Sequence, residues 1–175
     1  VAEWSFFMTL AGLFYLGTRA RYTAVDQWTT ALMFAGALVS IIGILQYHDL
    51  AFTRIPSNGH PSSTFGYRNF AAMYLVAVIP TCFFQFCLTD RRLVIILSVL
   101  AGGLSTTFLL YTRTRGAWLG TATGLVVASA ALLFDPAARA AVRSSLLESG
   151  PLKPILAAAA LICIALAGPM APQFT

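Results

Sequence analysis

The chain has 175 residues, of which 58% are hydrophobic and only 10% are charged, and its mean hydropathy is +0.79. This composition excludes an ordinary soluble domain and indicates an all-α, polytopic bundle of membrane-spanning helices. The formal net charge is +5. In a membrane protein the distribution of the basic residues along the chain tells more than their sum.

A membrane-spanning helix needs about 20 mostly apolar residues. Six stretches are predicted as spans: residues 4–18, 28–45, 69–88, 93–112, 116–134 and 154–172. The first is short, the chain begins with Val1, and the last span ends close to Thr175. We therefore expect a single transmembrane domain over residues 1–175 that is incomplete at both ends, with about six spans.

The connections between the spans carry signals of their own. Residues 46–68 are polar and rich in proline, glycine and asparagine, which predicts an ordered loop of functional length. Asp135 followed by Pro136 is typical of a helix start. The residues after it place arginines on one stripe and apolar side chains on another, so an interfacial helix is predicted at 136–149.

Two of the predicted spans contain residues that affect helix packing. Pro80 lies inside the third span, where proline commonly produces a kink. The fifth span has small residues at every fourth position, namely Gly116, Gly120, Gly124 and Ala128. Such a stripe allows another helix backbone to approach closely, which predicts that this helix is buried in the bundle.

The eleven basic residues divide unequally between the two sides of the membrane. Seven fall on one side: Arg19, Arg21, Arg91, Arg92, Arg139, Arg143 and Lys153. Four fall on the other: Arg54, Arg68, Arg113 and Arg115. The positive-inside rule assigns the seven to the cytoplasm, which makes loop 46–68 periplasmic and helix 136–149 cytoplasmic.

The four arginines of the outer side run against this bias and are the first candidates for a binding site. Guanidinium groups suit bidentate recognition of phosphate or diphosphate, so an anionic lipid-linked substrate is a natural ligand. An alternative is that they are interfacial anchors. All six acidic residues fall outside the apolar runs. Proton-coupled transporters usually need an intramembrane carboxylate or histidine, so this pattern weakens a transporter hypothesis.

Two motifs on the outer side resemble the O-antigen ligase and polymerase family of bacterial inner membranes. The first is STFGYRNFAAMYL at residues 63–75, and the second is TRTRGAWLG at residues 112–120. GILQYHDLA, which ends in residue 51, is similar to the segment that precedes the first motif. Tyr67 departs from the asparagine that is commoner at its position. The likeness covers roughly residues 30 to 135.

The resemblance implies transfer of a glycan from undecaprenyl diphosphate at the periplasmic face, without a metal or nucleotide cofactor. The partners would be a lipid-linked donor, a glycan or lipid A-core acceptor and membrane lipids, with no nucleic acid. Arg68 and Arg115 match the arginines thought to hold the diphosphate. The family's proposed catalytic base is a histidine in a periplasmic loop beyond residue 175, so we expect the present chain to be inactive alone.

The remaining candidates have weaker support. Arg113 is either a second phosphate contact or an interfacial charge, and Asn69 either contacts substrate or caps a helix. Arg54 is expected to be solvated. His48 and His60 have the right chemistry for general bases, but the family places its base elsewhere, and their spacing fits no metal site.

We therefore predict a membrane glycosyltransferase of the O-antigen ligase or polymerase type in lipopolysaccharide or polysaccharide biosynthesis. The alternative is a polyprenyl-glycolipid transporter or flippase without catalysis. The sequence is compatible with either a ligase or a polymerase and identifies neither the sugar nor the acceptor.

Overall fold

A computed structural model of the chain describes residues 22–56, 61–149 and 152–167. All regular secondary structure in these ranges is helical, which confirms the predicted class. The helices are α1 (Tyr22–Tyr47), α2 (Arg68–Leu88), α3 (Arg92–Thr112), α4 (Arg115–Phe134), α5 (Pro136–Ser149) and α6 (Leu152–Ala167). The predicted span at 4–18 lies outside the described residues. The described residues from 32 onward form one compact unit, and the packing below lies within it.

Four of the described helices are long and apolar enough to cross a membrane: α1 from Gln27 onward, α2, α3 and α4. Each of the last three begins at the arginine directly before its predicted first residue and ends where the sequence predicts. α6 is shorter, at 16 residues. These are the features of a multi-pass membrane protein.

α1 and α3 run parallel to one another in a constant register. Ser40 Oγ lies 3.1 Å from Ser105 Oγ, and Ser98 Oγ donates a hydrogen bond to Met33 Sδ at 3.5 Å. In both pairs the partners are 65 residues apart in sequence. Because this sequence separation is the same in both pairs, the two helices advance in the same direction.

α2 and α4 form a second parallel pair. A Cβ atom added to Gly120 would lie 3.3 Å from Val76 Cγ1, and one added to Gly124 would lie 2.9 Å from Pro80 Cγ. Both helices therefore advance by four residues between these two contacts. Gly36 of α1 packs against Val78 near the middle of α2, so the two pairs contact one another.

The parallel pairs place unlike helix ends together. We call the end of the bundle that contains Tyr47, Arg68, Thr112 and Arg115 the outer end, and the opposite end the inner end. α1 and α3 finish at the outer end, and α2 and α4 begin there. The outer end therefore combines two helix C-termini with two helix N-termini.

The buried core lies mainly between α2 and the helices around it. It forms two clusters of fully or nearly fully buried apolar side chains. The cluster nearer the outer end contains Ala71, Ala72, Leu75, Ile79, Phe108, Leu109 and Ala117. The other contains Met33, Ala37, Val78, Cys82 and Ala101. α2 contributes to both clusters and continues through Pro80 as one helix, so it is the central element of the described bundle.

The prediction that α4 is buried in the bundle is only partly met. Gly120 and Gly124 allow α2 to approach, but no other described residue comes within 4 Å of a Cβ added to Gly116. Only three residues of α4 are buried, and Val126 and Val127 are more than 60% exposed. A stripe of small residues thus indicates one packed face and says nothing about the opposite face.

α5 begins as the sequence predicts and is held against the α2–α3 turn. Asp135 Oδ1 accepts a hydrogen bond from the Ala137 N–H at 2.9 Å, which confirms the predicted cap. Further along, Ser145 Oγ donates to the Thr89 carbonyl at 2.8 Å. This contact fixes the C-terminal half of α5 to the inner end of the bundle.

Lys153, directly before the apolar residues of α6, also links α5 to the inner end of α2. Its side chain is 1% exposed, and Nζ donates to the Cys87 carbonyl at 3.4 Å and to Ser145 Oγ. Burial lowers the pKa of the Lys153 ammonium, and the carboxylate of Asp90 acts in the opposite direction. Lys153, predicted as one of the cytoplasmic basic residues, is therefore a buried anchor at the inner end.

Candidate functional site

The first element of the candidate site is the start of α2. Arg68 is the first residue of this helix and is exposed. Tyr67 at the N-cap has an extended backbone and makes no side-chain cap. The first turn contains no acidic residue. The N-terminus of α2 therefore presents uncapped N–H groups and the positive end of the helix dipole, together with a guanidinium.

The start of α4 repeats this arrangement. Arg115 is the first helical residue and is exposed, Thr114 at the N-cap makes no side-chain cap, and the first turn has no acidic residue. Arg113, which ends α3, has a left-handed backbone with φ of 52°. Such a conformation is costly for a residue with a Cβ and lets the chain reverse within two residues. Arg113 is also exposed.

A side-chain contact joins the two helix starts. Thr114 Oγ1 lies within donating distance of Asn69 Oδ1, at 3.3 Å, and equally close to the Thr112 carbonyl. Asn69 Nδ2 donates to the Tyr67 hydroxyl at 3.3 Å. The residue after Arg68 therefore contacts the residue before Arg115. The first turns of α2 and α4 lie side by side, as their parallel register requires.

The charges at this position are of one sign. In the described part of the chain, neither the Arg68 guanidinium nor the Arg115 guanidinium has a hydrogen-bond or ion-pair partner. A basic residue at a helix N-terminus opposes the helix dipole and costs about 0.3–1 kcal/mol relative to a favourable charge. Two such arrangements side by side therefore lower helix stability and favour an anionic ligand.

Gln46 anchors the outer loop and was given no role by the sequence. Its side chain is 1% exposed. Oε1 accepts hydrogen bonds from the N–H groups of Ser62 and Ser63, at 3.2 and 2.7 Å. Nε2 donates to the carbonyls of Phe52 and Ser63, at 3.2 and 3.1 Å. The one signal in sequence was a lone amide at the end of an apolar helix.

A ring cluster of Tyr47, His48 and Tyr111 lies at the outer ends of α1 and α3. The rings of Tyr47 and Tyr111 stack with centroids 4.1 Å apart, and His48 meets both rings edge-on. The Tyr47 hydroxyl is buried without a hydrogen-bond partner in the described residues. His48 itself is exposed. The histidine is thus part of a ring cluster, which the sequence did not predict.

The other predicted candidates are more scattered. Arg54 is exposed in the outer loop, and Asn69 is half-buried at the contact with Thr114. His60 lies outside the described residues. Among the residues that are described, no group of three histidine, cysteine or acidic side chains is placed to hold a metal ion. Of the four predicted site residues, the structure places Arg68, Asn69 and Arg115 around one contact and Arg113 in the adjoining turn.

Comparisons of the chain with protein-family models, curated proteins and solved structures find no match. The resemblance to O-antigen ligases and polymerases therefore stays a prediction from the two sequence motifs. These two motifs contain the residues that form the paired helix starts.

Proposed function

We propose that the chain is part of a bacterial inner-membrane glycosyltransferase of the O-antigen ligase or polymerase type. The observation that supports this most directly is the contact between Asn69 and Thr114, which brings two arginine-bearing helix starts together. The substrate would be a glycan on undecaprenyl diphosphate. Its diphosphate would lie over the N-termini of α2 and α4.

The chemistry of this position suits a diphosphate leaving group. Guanidinium groups bind phosphate oxygens through paired, charge-assisted hydrogen bonds. Uncapped helix N-termini add N–H donors and a positive dipole end. As the bond between sugar and phosphate breaks, negative charge grows on the diphosphate. Donors already fixed around it would stabilise that transition state more than the ground state.

The topology of the proposal follows the charge distribution. Six spans would include α6 and residues 4–18, in addition to the four long helices. The outer end would face the periplasm, because most basic residues lie at the other end of the predicted spans. The diphosphate would then bind at the level of the lipid headgroups, where a lipid-linked donor carries it.

The acceptor hydroxyl still requires a general base. His48 is not assigned this role, because it belongs to the ring cluster with Tyr47 and Tyr111. The resemblance assigns the base to a histidine of a periplasmic loop beyond residue 175. The part played by the present chain is therefore to bind and orient the donor.

The test uses the full-length protein and a purified lipid-linked donor in detergent, with formation of the glycosidic bond as the readout. Arg68→Ala and Arg115→Ala should each abolish transfer while expression and membrane insertion stay normal. Arg54→Ala is the matched control, because this arginine is exposed in the outer loop and belongs to neither helix start. It should transfer normally.

Normal transfer by Arg68→Ala and Arg115→Ala would refute the proposed mechanism. A flippase would give a different result, since the wild-type protein would bind the donor but form no glycosidic bond in detergent. That outcome would favour the transport alternative.

A further inference from the structure

A groove runs between α2, α4 and α5 at the inner end of the bundle, far from the paired helix starts. Its volume is about 560 Å³. Phe83 of α2, Leu132 and Leu133 of α4 and Val142 of α5 supply its apolar walls. Cavities of this size are typical of sites for small organic ligands.

Two arginines stand at the mouth of this groove. Arg139 and Arg143 are one helical turn apart on α5, and both line the groove and are exposed. A neighbouring surface recess of about 440 Å³, over Pro136 and Ala140, is bounded by the same two arginines. The guanidinium groups therefore lie where the apolar groove meets the polar surface.

The described side chains around these arginines do not neutralise them. Like charges four residues apart on a helix repel one another. In the side chains that the structure describes, neither guanidinium has an ion-pair or hydrogen-bond partner. The nearby Asp135 carboxylate accepts a hydrogen bond from the Ala137 N–H. An anion placed between the two arginines would relieve the repulsion.

The helix that carries the arginines is fixed in place. Ser145 binds the Thr89 carbonyl, and Lys153 binds both Ser145 and the Cys87 carbonyl. α5 is therefore attached to the α2–α3 turn at the end away from Asp135. A ligand entering the groove meets a preformed site and does not have to order the helix.

We propose that this groove binds an anionic glycerophospholipid from the leaflet at the inner end. The phosphate would lie between Arg139 and Arg143, and an acyl chain would follow Phe83, Leu132 and Leu133. The pairing of apolar walls with two guanidinium groups favours a lipid over a water-soluble anion. Basic pockets between membrane helices bind acidic lipid headgroups on the same principle. This site is separate from the proposed donor site.

The experiment measures lipid binding to the full-length protein in detergent, with short-chain phosphatidylglycerol as the probe and phosphatidylcholine for comparison. The wild-type protein should prefer phosphatidylglycerol. The double variant R139Q/R143Q should bind it roughly 30-fold more weakly, because each basic residue near an acidic lipid contributes about fivefold. R91Q/R92Q removes the same charge at the inner end outside the groove and should change binding less than about twofold.

A second variant tests the apolar part of the site. Val142→Trp fills the groove and leaves its charge unchanged, so it should also weaken phosphatidylglycerol binding. Circular dichroism checks that each variant keeps its helices. Equal loss in R91Q/R92Q and R139Q/R143Q would mean non-specific attraction and overturn the proposal. So would unchanged binding in R139Q/R143Q, or competition by inorganic phosphate as strong as by the lipid.

Discussion

Replacing Gly124 with alanine should push α4 away from α2. The added Cβ would lie 2.9 Å from Pro80 Cγ and 3.7 Å from Pro80 Cβ. Non-bonded carbon atoms prefer separations of about 3.5–4.0 Å. The proline ring is closed on the backbone and has only a change of pucker to relieve the contact, so we expect the helices to separate, by up to roughly 0.6 Å. The same movement would displace the first turn of α4, which carries Arg115.

The free-energy cost has two parts of opposite sign. Overpacking of a close contact costs about 1–3 kcal/mol. Alanine gains about 0.8–1.0 kcal/mol over glycine through its helix propensity. Gly103→Ala on α3 isolates the second part, because its added Cβ meets no packing partner within 4 Å among the described residues. The two variants should therefore differ in free energy of unfolding by about 1–3 kcal/mol, with Gly124→Ala the less stable.

The assay is equilibrium unfolding in mixed micelles for the wild-type protein and both variants, followed by helix content. Gly103→Ala should be at least as stable as the wild-type protein. Under the proposed function, Gly124→Ala should also lower glycan transfer roughly tenfold, since misplacement of binding groups by about 1 Å costs up to 100-fold in rate. If Gly124→Ala is as stable as Gly103→Ala, the close packing of α4 on Pro80 is wrong.

Two further predictions concern the buried anchors. Gln46→Leu leaves the N–H groups of Ser62 and Ser63 without their acceptor, at a cost of about 1–3 kcal/mol for each unsatisfied buried group. Limited proteolysis should then cut the outer loop faster than in the wild-type protein, whereas Arg54→Ala should leave the cleavage rate unchanged. Equal cleavage rates in the wild-type protein and Gln46→Leu would contradict the anchoring role. Because burial lowers the pKa of Lys153 below its ordinary 10.5, the folded state binds this proton less tightly than the unfolded state. The free-energy penalty for burying the protonated Lys153 side chain is present in full below the pKa of the folded state. It is relieved as pH rises towards 10.5, so the free energy of unfolding should rise with pH between the folded-state pKa and 10.5. Lys153→Met should lose this rise, and an unchanged pH profile of unfolding would show that Lys153 does not titrate in a buried site.

Much of the local structure followed from the sequence alone. Apolar runs of span length predicted α2, α3 and α4 to within one residue, because a helix in lipid must satisfy its own backbone hydrogen bonds. Asp135 and Pro136 predicted the start of α5, since capping depends only on neighbours in the chain. The two motifs contain Asn69 and Thr114, which the structure brings into contact, and the binding role of Arg68 and Arg115 stays a proposal.

Tertiary structure decided which surfaces of those helices meet. The parallel register of α2 and α4 places Asn69 beside Thr114, and that register depends on the shapes of Gly120, Gly124, Val76 and Pro80 taken together. The periodicity of one helix does not predict this register, because a stripe of small residues can pack against any of several helices. The roles of Gln46 and Lys153 were hidden for the same reason. Their partners are 16 and 66 residues away in sequence, and only folding brings them within hydrogen-bond distance.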